Sequence, residues 1–133
     1  MKPRTGLVVF VLTVLCVWAA GAVQTERSVW DGVYTEGQAA RGQNTFAASC
    51  ARCHAVEDFT GASFLSGWEA STVLDLFERL QKTMPMDNPG SLRPEDYADV
   101  ISYFFRANEM PAGKDELDTN ADHLKLIRIT LKK

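Results

Sequence analysis

The sequence predicts an all-α domain, and three observations predict it. Three segments carry apolar residues at helical spacing behind recognisable start signals. No run alternates apolar and polar residues as a half-buried strand would, and Pro, Gly and Asn break the chain between the helical segments. With 133 residues the chain makes one domain at most. An apolar content of 46% and a charged content of 23% exclude wholesale disorder. The net charge of −3, with Lys and Arg scattered until Lys132 and Lys133, gives no electrostatic reason to expect a nucleic-acid partner.

Residues 1–22 read as an export leader. Lys2 and Arg4 form a positive start, GLVVFVLTVLCVWAA is uncharged, and Ala20-Gly21-Ala22 offers the small residues that precede cleavage after Ala22. The alternative is a retained membrane anchor, because the uncharged run from Gly6 to Val23 reaches the lower limit for spanning a bilayer, about 18 residues. Lipidation at Cys16 is disfavoured, since the preceding TVL lacks a small residue. Under either reading the working part is periplasmic or otherwise extracytoplasmic.

The first helix is expected in YTEGQAARGQNTFAASC, where Thr35 and Gln38 have capping-box spacing and Ala39, Gly42, Phe46 and Cys50 share one face. It runs into SCARCHA. Cys50 and Cys53 are the only cysteines outside the leader, and a close pair in an exported protein has several readings. A thioredoxin-like pair needs a βαβ pattern that is absent. Zinc needs two further ligands, and the distant His123 reads as a solvated surface histidine. Cys50-Ala51-Arg52-Cys53-His54 instead fits C-x-x-C-H, the attachment site of c-type haem. Two thiols one helical turn apart can add to the two vinyl groups on one porphyrin edge. The following His54 then lies over the iron as proximal ligand.

A second helix is expected in ASTVLDLFERLQKT, capped at Ser71, with Val73, Leu74, Phe77 and Leu80 as its apolar stripe. KTMPMDNPG follows, a loop too broken for a helix or central strand, with Met84 and Met86 on either side of Pro85. An iron held by His54 has a sixth position, and a thioether is a soft ligand that raises the reduction potential. Spacing does not choose between Met84 and Met86, because Pro85 interrupts regular alternation. Met110, in NEMPAG, reads better as a packing residue at a turn. The last main helix, RPEDYADVISYFFRAN, has Pro94 in its first turn with Glu95 and Asp96 beside it, and turns Tyr97, Val100, Ile101, Phe104 and Phe105 inward. Residues 113–133 read as a polar extension over the surface, with at most one short helix.

From about Val29 to Met110 the chain resembles class I cytochromes c. The likeness is to small bacterial ones related to the haem subunit of cbb-type oxidases and to the cytochromes that accompany quinoprotein dehydrogenases. Gly42, Phe46 and Cys50–His54 match the family's first helix, and TMPMDNPGSL with YADVISYFFRAN matches its methionine loop and last helix. The resemblance implies three to four helices wrapped around one covalently bound haem in residues 29–112. It also implies that the methionine directly before the proline, Met84, is the iron ligand, with Met86 a crevice residue. One departure concerns His54. The family carries a proline soon after the haem motif whose carbonyl accepts the imidazole N–H, and here no proline lies between His54 and Met84. The partner of the His54 N–H is unassigned, and Trp68 reads equally as a haem contact and as packing.

These residues imply one-electron transfer rather than catalysis. With His54 and Met84 both on iron there is no open position for oxygen or peroxide, and no acid/base pair is apparent. The expected role is a periplasmic carrier between a dehydrogenase or quinol-oxidising donor and an oxidase-type acceptor. The alternatives are a fixed haem subunit of a membrane complex, tethered by the N-terminal segment, and a haem enzyme or sensor in which Met84 is displaced.

Overall fold

The computed structural model describes residues 25–132; the leader, including Cys16, lies outside them. Helix α1 spans Glu36–Ser49, α2 Gly61–Trp68, α3 Val73–Thr83, α4 Pro94–Ala107 and α5 Ala121–Leu124, with a single 3₁₀ turn at Val56–Phe59. Two short strands, β1 at Arg27–Ser28 and β2 at Ile127–Arg128, pair in parallel. The fold is all-α in substance, as the sequence predicts.

α1 and α4 form the main helix pair, and Gly42 is the reason they can. A Cβ built at Gly42 would fall 1.8 Å from the backbone carbonyl oxygen of Asp99, so the two backbones touch there. Beside that contact Arg41 donates to both Asp99 carboxylate oxygens, at 2.9 and 3.1 Å, and to Glu116 at 2.9 and 3.0 Å. The Arg41 hydrogen bonds hold the Glu116 carboxyl below its ordinary pKa. α4 begins at Pro94, where a missing N–H costs nothing, and buries all five residues of its expected stripe.

The caps differ in detail from the sequence reading. Thr35 accepts the Gln38 N–H at 3.1 Å, but the Gln38 side chain does not return the bond. It is buried instead against the C-terminal segment, donating to the Leu117 carbonyl at 2.8 Å and accepting the Leu117 N–H at 2.7 Å. α3 is capped by Thr72 rather than Ser71. The Asp75 carboxylate accepts both the N–H and the hydroxyl of Thr72 at 2.7 Å, which lowers its pKa. The Ser71 carbonyl is occupied by the Ile129 N–H at 2.9 Å. Leu76, not Leu74, is the fully buried member of the α3 stripe beside Val73 and Phe77.

The C-terminal segment is more than a polar wrap. Leu117, Leu124, Ile127 and Ile129 are all buried in the main core, Ile127 in β2 and Ile129 just beyond it, with Arg128 between them. Gly113 makes this return possible, since a Cβ there would lie 1.9 Å from the Gly32 carbonyl oxygen. Among the described residues no helix is long and apolar enough to cross a membrane.

Candidate functional site

The site is built where α1 ends. The Cys50 N–H still bonds back to the Phe46 carbonyl at 2.8 Å, and the chain then turns tightly. Both the Cys53 N–H, at 3.1 Å, and the His54 N–H, at 3.0 Å, reach the Cys50 carbonyl. Cys50, Cys53 and His54 are thereby presented on one short turn. Both thiols are free; Cys50 is half-buried, with its pKa raised by burial, and Cys53 is exposed.

Opposite in sequence, the methionine loop is anchored by its backbone. The Met84 N–H closes the last turn of α3 on the Leu80 carbonyl at 2.8 Å, and the Met84 carbonyl accepts the Tyr97 hydroxyl at 2.7 Å. The Gly90 N–H bonds the same carbonyl at 3.3 Å, and Gly90 has the positive φ of 78° that closes the loop. The Met84–Pro85 peptide bond is cis. Met84 is partly buried whereas the Met86 side chain leaves the residue 76% exposed, and Met110 is buried elsewhere, with its carbonyl bonded by Tyr34 at 2.7 Å.

Cys50, Cys53, His54 and Met84 all line one cavity of about 490 Å³. Its walls are mainly apolar, with Phe46, Leu76, Val100 and Phe104 from the helices and Phe59 and Phe64 from the segment after the haem motif. Trp68 and Met86 also border it. Phe59 stacks on Phe104 at 4.3 Å between ring centres, and its ring stands edge-on to that of His54 at 5.3 Å. Asn108 holds this segment in place, donating to the Phe59 carbonyl and accepting the Gly61 N–H, both at 2.9 Å. At the outer rim Arg52 meets Asp87 at 3.1 Å, bridging the cysteine turn and the methionine loop.

Phe59, Phe64 and Asn108 escaped the sequence reading. The two phenylalanines sit in a segment without helical period, and only the aromatic content of EDFTGASFLSGW hints at a wall. His123 pairs with Asp118 on the surface and takes no part in the cavity. The donor set passes a chemical test for haem: two thiols, an imidazole and a thioether converge on one apolar space of cofactor dimensions.

Residues 37–104, half of the chain, match the model of the family described as cytochrome c oxidase, cbb3-type, subunit III. The chain belongs to that family. No curated protein and no solved structure gives a match. As a cytochrome of this family it takes one covalently bound haem of the c type, and its role is haem-based electron transfer with redox partners. Domains of this kind work outside the cytoplasm. The matched stretch of the cytochrome runs from the start of α1 to Phe104 and includes every residue that lines the cavity.

Proposed function

We propose that this cytochrome is a periplasmic one-electron carrier between a dehydrogenase or quinol-oxidising donor and an oxidase-type acceptor. Cys50 and Cys53 would hold the haem by thioether bonds, and His54 and Met84 would supply the protein ligands to its iron. The observation that carries the reading is the convergence of these four side chains on one apolar cavity. When bound, the haem supplies a ferrous/ferric couple. The chain's own residues fix its potential and its access. Met84 favours the ferrous state as a soft ligand, and the phenylalanine walls exclude water. With both His54 and Met84 bound to it, the iron would offer no position to oxygen or peroxide, which would separate this role from an enzyme's. The exposed rim at Cys53 and Met86 gives partners a route to the haem edge, and a small contact there suits rapid exchange.

One observation favours a second reading. The family description is that of an oxidase subunit, which suits a haem subunit fixed in a membrane complex by an N-terminal anchor. Cell fractionation with intact mass separates the two. The carrier reading expects a salt-washed or periplasmic protein whose mass corresponds to a chain starting at Val23 plus one haem. A membrane-bound protein with Met1 intact would instead identify the fixed subunit.

A further inference from the structure

We propose that Asp58 is the residue that orients His54 and strengthens it as an iron ligand, a role that rests on the His54 ligation proposed above. An imidazole bound to a metal through one nitrogen presents the other as an N–H donor, and its partner fixes the ring and raises its basicity. The usual proline carbonyl has no counterpart here, as no proline lies between His54 and Met84. The structure places a carboxylate in that position. His54 Nδ1 lies 3.8 Å from Asp58 Oδ2, the one carboxylate within 4 Å of this ring's nitrogens among the described residues.

Asp58 stands there because of its local structure. It is the third residue of the Val56–Phe59 turn, and its Oδ2 accepts the Ala55 N–H at 3.0 Å, which closes the turn and aims the carboxylate back toward residue 54. The next residue, Phe59, is pinned by the Asn108 amide and by stacking on Phe104, so the turn is tied to α4 and does not ride on a free loop. The separation of 3.8 Å exceeds a hydrogen bond, but the Asp58 side chain is 57% exposed and, among the described residues, only its Oδ2 is hydrogen-bonded, which leaves Oδ1 for the imidazole N–H. A carboxylate in place of a neutral carbonyl makes the imidazole a stronger donor and stabilises ferric iron. Asp58 thus opposes the upward pull of Met84 on the potential.

The test uses the holoprotein with Asp58→Asn, which keeps an acceptor for the Ala55 N–H, Asp58→Ala, and Glu57→Gln as a control. Glu57 shares the turn and the charge, but among the described residues it is Asp58, not Glu57, whose carboxylate lies within 4 Å of the His54 ring nitrogens. Retained covalent haem and low-spin spectra in all variants report that the His54 ligation stands. The proposal then expects a slowly exchanging imidazole N–H by NMR in the ferrous parent and exchange faster by about tenfold or more in Asp58→Ala. It also expects a larger rise in potential for Asp58→Asn than for Glu57→Gln. Equal rises in the two variants with unchanged N–H exchange would overturn the role of Asp58 and leave His54 as ligand. Absence of histidine ligation in the parent protein would remove both readings.

Discussion

Replacing Cys50 and Cys53 together by alanine is expected to abolish haem-dependent peroxidase staining after denaturing electrophoresis, where the parent polypeptide stains. Denaturant separates a chain from any group it holds by coordination alone, so the stain reports thioether bonds. The same change should destabilise the native protein. The cavity of about 490 Å³ lies between α1, α3 and α4, and its walls include Phe46, Leu76, Val100 and Phe104. Without the haem those surfaces face solvent or collapse, and a ligand that binds only the folded state no longer supports it. Single replacements should keep a stained band, since one thioether still holds. A stained band in the double variant would show that neither cysteine carries the covalent link.

Gly42→Ala should destabilise by on the order of 3 kcal/mol or more, the upper range for overpacking. The new methyl group would meet the Asp99 carbonyl oxygen at 1.8 Å and its carbon at 2.4 Å. Both belong to the α4 backbone, so no side-chain rotation relieves the clash and the helices must part. Parting them moves the Cys50 end of α1 away from Val100 and Phe104, which links this packing contact to the cavity. Gly37→Ala in the same helix is the control. Its Cβ meets only Thr35 Oγ1, at 4.0 Å, and lowered unfolded-state entropy should stabilise by roughly 0.4–1 kcal/mol. Denaturant midpoints of the two variants should therefore move in opposite directions. Equal midpoints would mean that α1 and α4 do not touch at Gly42.

What could be read in the sequence depended on how local the cause was. The α4 stripe was legible because Tyr97, Val100, Ile101, Phe104 and Phe105 repeat at helical spacing behind Pro94. The haem motif was legible because its chemistry is compressed into five consecutive residues. Gln38 shows the opposite case. Its spacing from Thr35 fits a capping box, yet a distant backbone segment at Leu117 makes better use of a buried amide that must satisfy both donor and acceptor. Ile127 and Ile129 were hidden for a similar reason, because their burial depends on β1 and on the Ser71 carbonyl, far away in sequence. α2 has Gly61 at its start and Gly67 near its end and buries only Leu65, so it offered almost no periodic signal. The nearness of Asp58 to His54 was hidden in the sequence, because it takes a turn closed on Ala55 to bring the carboxylate to 3.8 Å from the imidazole.

The central claim is that Met84 and His54 together hold the iron, and the ferric absorption spectrum tests it most directly through the weak long-wavelength band of sulfur-to-iron charge transfer. Met84 leaves the end of α3 with its carbonyl bonded by Tyr97, while Met86 is 76% exposed at the loop surface. The band should be present in the parent protein and lost in Met84→Ala, with a lower potential and an iron open to carbon monoxide. Met86→Leu should keep the band and the low-spin spectrum, changing stability by less than about 1.5 kcal/mol. A band that survives Met84→Ala and disappears in Met86→Leu would contradict the account and exchange the roles of the two methionines.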